Sequence, residues 1–107
     1  LAPGFMAIPT PGHTAGHCAL LYVDRFLFTG DHLWWNRQHH RLGASQAYCW
    51  DSWPKQTRSM ARLLDYRFEW VLPGHGQRVL LPCDEMHVQL RQLVERMRSS
   101  TAVSTAE

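Results

Sequence analysis

Three apolar runs in this chain each break off at a glycine-containing turn that delivers a side chain able to bind a metal. These are Pro11-Gly12-His13-Thr14, Thr29-Gly30-Asp31 and Pro73-Gly74-His75-Gly76. Glycine lets the backbone turn tightly and lets a bound species come close, while the strand before it fixes the position of the residue that follows. Imidazole and carboxylate together suit Zn²⁺, Fe or Mn²⁺ rather than a soft thiolate site. His13, Asp31 and His75 lie 18 and 44 residues apart, too far for a local finger or a pair on one helical turn. A site exists only if the fold gathers the strand ends at one edge of a sheet. Each motif alone has a plainer reading, Pro-Gly-His as a turn with a surface histidine and Thr-Gly-Asp as the end of a strand.

The rest of the pattern predicts the scaffold. Gly4 to Pro9 reads as a strand, and Cys18 to Val23 with Phe26 to Phe28 as a hairpin joined at Asp24-Arg25, with no glycine to mark the turn. From His32 to Asp51 the period is lost, which predicts a lid or insertion. Ser52 with Pro54 starts a helix running to about Tyr66, with Met60, Leu63 and Leu64 on one side. Phe68 to Leu72 and Arg78 to Leu81 read as short extended pieces, and Asp84 as the cap of a second helix whose apolar side is Met86, Leu90, Leu93, Val94 and Met97. Residues 1–98 are therefore expected to form an α/β unit with a mixed sheet and two amphipathic helices, and 99–107 a disordered tail. Two helices cover one sheet face, so the other is expected to need a missing half of the fold or self-association.

Composition excludes more than it assigns. Eleven basic against nine acidic residues in 107 leave a formal charge of +2, which gives no reason to expect nucleic acid as a partner. No apolar run approaches the roughly 18 residues of a membrane span. Cys18, Cys49 and Cys83 are odd in number without a close pair, which predicts a reducing, cytoplasmic setting and three interior thiols. The sequence opens at Leu1 without an initiator methionine and reads as an internal piece of something longer.

Taken in order, Pro9-Thr10-Pro11-Gly12-His13-Thr14-Ala15-Gly16-His17, Phe28-Thr29-Gly30-Asp31 and Val71-Leu72-Pro73-Gly74-His75-Gly76 resemble the C-terminal half of the metallo-β-lactamase fold superfamily, in particular its glyoxalase II-like hydrolases. The resemblance runs from about Gly4 to Pro82 and implies half of an αββα sandwich. It implies that His13 is the third histidine of a first metal site, Asp31 the catalytic carboxylate bridging two divalent ions, and His75 a ligand of the second. Zinc is the first choice of ion, with Fe or Mn as alternatives. The family's upstream His-x-His-x-Asp-His cluster is absent, and His39-His40-Arg41 has neither its spacing nor its Asp.

The implied activity is metal-activated water attacking an ester, thioester or related bond of a small-molecule substrate, with this chain alone binding metal poorly and catalysing little. Di-iron redox chemistry, nuclease activity and a noncatalytic binding half are the competing expectations. Thr14, His17 and His32 are weaker candidates, as supports beside the ligands or as pocket residues, against turn-stabilising or half-buried roles. Trp34, Trp35, Trp50 and Trp53 are candidates for a pocket wall or for core, and Arg37, His39, His40 and Arg41 for an anion contact or a solvated loop.

Overall fold

A computed structural model describes residues 3–106, and the side chains of residues 3–100. In chain order the elements are β1 (Phe5–Pro9), β2 (Cys18–Tyr22), β3 (Phe26–Gly30), β4 (Trp34–Asn36), β5 (Arg41–Gly43), α1 (Trp53–Arg62), β6 (Trp70–Pro73), β7 (Val79–Leu80) and α2 (Cys83–Ala106). Short 3-10 turns lie at Gln46–Tyr48 and Leu63–Asp65. The main sheet has the order β1-β2-β3-β6-β7, antiparallel except where β6 joins β3 in parallel. Strand direction therefore repeats at β1, β3 and β6, and their C-terminal ends share one edge. The three glycine turns of the sequence follow those three ends.

The β2–β3 hairpin forms without glycine because Val23 and Asp24 both take positive φ, 47° and 53°. The Arg25 N–H closes the turn on the Tyr22 carbonyl at 3.0 Å. Ser52 caps α1, its hydroxyl accepting from the Lys55 N–H at 3.2 Å with Pro54 in the first turn, as the sequence predicts. Asp84 does not cap α2. The helix begins at Cys83, the Met86 N–H reaches back to the Pro82 carbonyl at 2.8 Å, and Asp84 sits within the first turn. There its charge still faces the positive end of the helix dipole. The α2 backbone stays helical to Ala106, and the tail expected at 99–107 falls largely on residues whose side chains lie outside the described set.

The segment 32–51 is more ordered than its sequence suggests. Trp34–Asn36 pairs with Arg41–Gly43 as a second, two-stranded sheet, and the Asn36 side-chain oxygen accepts the Gln38 and His39 N–H groups at 3.0 and 3.1 Å to make the turn. An Asx turn of this kind replaces the glycine signal that a hairpin usually shows. Arg37, His39, His40 and Arg41 are the exposed tip and end of this hairpin.

Register divides the main sheet into two chemically different faces. Ile8, Ala19, Leu21, Leu27 and Val71 point toward the helices and join Met60, Leu63, Met86 and Leu90 in one buried cluster. Burying a side chain of this kind stabilises by about 1.5–3 kcal/mol. The opposite face carries Phe5, Leu20, Tyr22, Phe26, Phe28, Trp70 and Leu72, none of them buried. Phe5 packs on Tyr22 with ring centroids 4.5 Å apart, so this face is an aromatic surface rather than a polar one. The thiols depart from the expected interior placement: Cys18 is exposed, and Cys49 and Cys83 are half-buried. Cys18 pairs with Pro9 on the uncovered face, which accounts for its exposure.

Candidate metal centre

The parallel β3–β6 pairing sets Gly30 opposite Pro73, and the Gly74 N–H donates to the Gly30 carbonyl at 2.9 Å. Asp31 and His75, the residues that follow, are thereby brought together. His75 Nδ1 donates to Asp31 Oδ1 at 2.9 Å, and this bond is the main reason the Asp31 carboxyl is held below the usual carboxylate range. The third member comes from the loop after β1. His13 Nε2 stands 3.5 Å from the other carboxylate oxygen, Asp31 Oδ2. His13, Asp31 and His75 thus converge at one sheet edge although they are far apart in sequence.

The loop carrying His13 is held from several sides. Its start is tied to β2 by the Thr10 N–H, which donates to the His17 carbonyl at 2.9 Å, and by the Thr10 hydroxyl on His17 Nδ1 at 2.9 Å. Helix α1 holds it from below. Ser59 Oγ donates to the Pro11 carbonyl at 2.7 Å, Arg62 to the Pro9 carbonyl at 3.2 Å, and the Ser52 N–H to the Gly12 carbonyl at 2.8 Å. From inside, the His32 Nε2 accepts the His13 backbone N–H at 3.1 Å. An acceptor at Nε2 requires the neutral ring. Burial, the largest cause, together with the nearby His17 and His13 charges, pushes the His32 pKa down to about 3. His17 stacks on His32 with centroids 3.8 Å apart and is itself pushed down, chiefly by burial.

His13 is oriented by the segment after β5. The Tyr48 carbonyl lies 2.5 Å from His13 Nδ1. A carbonyl can only accept, so Nδ1 carries a proton, and in the neutral form of the ring Nε2 presents a lone pair toward Asp31 Oδ2. In that form the two atoms, 3.5 Å apart, are both acceptors and make no hydrogen bond with each other. The separation is close to the edge of a tetrahedral metal shell, about 3.3 Å for ligand bonds of roughly 2.0–2.1 Å. On this observation the His13 and Asp31 pair fits a shared zinc-type ion. Among the described residues no three His, Cys, Asp or Glu side chains are arranged to hold a metal ion by themselves.

Over the three residues opens a cavity of about 460 Å³, walled by Trp34, Tyr48, Trp50 and Gly76. Gly76 is at φ +93°, and a Cβ there would stand 3.1 Å from that of Trp34, so a side chain would crowd this wall. Of the other candidates, Thr14 is exposed and closes the loop through its carbonyl, which accepts from Gly12 and His17 at 3.1 and 3.4 Å. His17 and His32 lie behind the ligand loop. Trp53 is core and Trp35 packs half-buried against it, whereas Trp34 and Trp50 line the cavity. The Arg37 to Arg41 cationic run is not part of its lining.

Sequence reasoning missed Gln56, Ser59 and Cys49. Cys49 Sγ donates to the Gly12 carbonyl at 3.1 Å, and buried Gln56 donates to the His32 carbonyl at 3.4 Å. The signal was present as polar residues, Gln56, Thr57 and Ser59, on the inward side of an otherwise apolar helix face.

The sheet order and this edge site invite comparison with solved structures. An archaeal metallo-β-lactamase superfamily protein from Sulfolobus tokodaii superposes on the chain with a TM-score of 0.53 at 24% identity, covering 82% of this chain and 32% of its own. The fold is metallo-β-lactamase-like. The chain spans about a third of the length of that structure. No protein-family model and no curated protein matches the sequence. In this metallo-β-lactamase-like fold the ligand-type residues sit on three strand ends that run in the same direction, with both helices on the far side of the β3–β6 pair from the aromatic face. No helix among the described residues is long and apolar enough to cross a membrane.

Proposed function

We propose that this chain carries the His13, Asp31 and His75 side of a two-metal hydrolytic centre acting on an ester, thioester or related bond of a small molecule. The single observation behind this reading is that His13 Nε2 and Asp31 Oδ2 face each other at 3.5 Å with the far side of His13 fixed by a carbonyl. His13 and Asp31 would hold one ion, and Asp31 and His75 the other, with zinc the proposed metal and Fe or Mn served by the same donors. When bound, such a pair supplies Lewis-acid polarisation of the scissile bond and lowers the pKa of water to about 7. The chain's own contribution is placement. Asp31 offers one oxygen to each side, and the Tyr48 carbonyl keeps the His13 lone pair aimed inward. His75, almost fully exposed, is free to leave the carboxylate and turn toward an ion.

Asp31→Asn tests this. It keeps the shape and removes the bridging charge, and should lower zinc affinity by more than the roughly 10–100-fold typical of losing a supporting hydrogen bond. His17→Ala should stay within that smaller range. Zinc titration of both variants, and turnover of a generic thioester by the native protein at saturating zinc, give the comparison. Asp31→Asn with unchanged zinc affinity and turnover removes the proposal.

The uncovered face belongs to the same reading. A half-centre beside an aromatic sheet face fits a chain that is covered by a further layer, either the rest of a longer fold, in keeping with a neighbour of which the match covers 32%, or a second copy. The isolated chain should accordingly self-associate in sedimentation runs, and Phe28→Lys with Leu72→Lys should return it to monomer. A wild-type chain that stays monomeric and binds no apolar dye contradicts this.

A further inference from the structure

We infer that the substrate carries a planar aromatic group beside the scissile bond, received by Tyr48 and Trp50. The inference rests on the hydrolase reading for the scissile bond and on separate observations for the ring. Trp50 and Tyr48 are 75% and 63% exposed, more than any other large apolar side chain described. They do not lie on the aromatic sheet face; both wall the cavity over His13, Asp31 and His75, with Trp34 also lining it. Apart from those three ligand-type residues the lining holds no titratable group other than the Tyr48 phenol, and no Lys or Arg. The wall beside the ligand-type residues therefore offers no Lys or Arg to an anionic group, whereas a π-face finds indole and phenol rings.

The wall is also registered to the reacting position. The Tyr48 carbonyl accepts from His13 Nδ1, and the Trp50 N–H donates to the His13 carbonyl at 3.0 Å. One and two residues on, the Asp51 and Ser52 N–H groups both donate to the Gly12 carbonyl. The backbone that carries the aromatic side chains is thus bonded to the backbone and ring of His13, and its position beside the ligand loop is set by the fold rather than by a free loop. This makes Trp50 a specificity-determining residue: it selects the group attached to the bond and leaves the chemistry to the ligand side chains.

The test uses two uncleavable ketones of one carbon skeleton, 2-acetonaphthone and its puckered decahydro counterpart, titrated into the chain with and without zinc. Affinity is read calorimetrically and the Trp50 indole N–H by nuclear magnetic resonance. The planar ketone should bind about tenfold tighter and shift the indole signal, in line with the energy of a well-placed aromatic pair. Trp50→Ala should abolish the preference and Trp50→Phe should keep most of it. Trp50 is so exposed that neither change threatens folding. Equal affinity for the two ketones, or a preference that survives Trp50→Ala, overturns the inference. Zinc affinity dependent on Asp31 with no ring preference overturns it alone, while ring preference without zinc affinity leaves it standing and defeats the hydrolase reading instead.

Discussion

Gly12→Ala is expected to abolish cooperative folding of the chain. Gly12 has φ +145°, and a Cβ there would lie 2.3 Å from Gln56 Cβ and 2.4 Å from its Cα. The obstacle is helix backbone rather than a side-chain tip, so α1 itself would have to move. Its displacement would break the bonds that the Gly12 carbonyl accepts from Ser52, Asp51 and Cys49. Overpacking against backbone together with a strained φ costs more than about 3 kcal/mol, a large share of the roughly 5–15 kcal/mol that holds a domain together. Gly16→Ala is the control, because nothing stands within 4 Å of its would-be Cβ. Urea melts followed by circular dichroism should show a full transition for Gly16→Ala and a collapsed one for Gly12→Ala. A Gly12→Ala midpoint close to wild type would contradict the packing described for the His13 loop.

Mild acid should destabilise the fold through His32. Its ring is neutral in the folded chain down to a pKa of about 3, whereas an unfolded histidine takes up a proton near 6.5. Below pH 6.5 the unfolded state therefore binds a proton that the folded state refuses. Stability is full above pH 6.5 and falls by roughly 1.4 kcal/mol per pH unit below it, on the order of 2 kcal/mol by pH 5. His17, also pushed down by burial, adds to the slope in the same direction. Asp31, held below its usual value mainly by the His75 hydrogen bond, acts in a lower window: its contribution is present above the ordinary carboxylate pKa and is lost as pH falls through the depressed one. Urea midpoints of wild type and His32→Gln between pH 7.5 and 5 separate these effects. The variant, less stable at neutral pH, should show a flatter slope; parallel curves would mean that His32 titrates normally in the fold.

What the sequence announced and what it hid divide along local and long-range physics. The three glycine turns, the Ser52-Pro54 helix start and the β2–β3 hairpin are set by residues within a few positions, and each is where it was expected. Convergence of His13, Asp31 and His75 followed once β1, β3 and β6 ran in one direction. The Trp34–Gly43 hairpin was hidden because its turn relies on an Asn36 side chain instead of glycine. Cys18 was misplaced because interior thiols presuppose two covered sheet faces. The clamping of His13 by residues 48–52 was illegible for a different reason: it is made almost wholly of backbone groups, which carry no sequence signature.

The central claim, that His13, Asp31 and His75 form one side of a metal centre, is tested most directly by long-range nitrogen-15 spectra of the histidine rings during zinc titration. The account predicts that His13 Nε2 and the His75 ring shift together with the Asp31 carboxyl carbon, while the His13 Nδ1–H on the Tyr48 carbonyl persists and exposed His39, His40 and His87 do not respond. Zinc that perturbs the exposed histidines alike and leaves His13 Nε2 unchanged would contradict it.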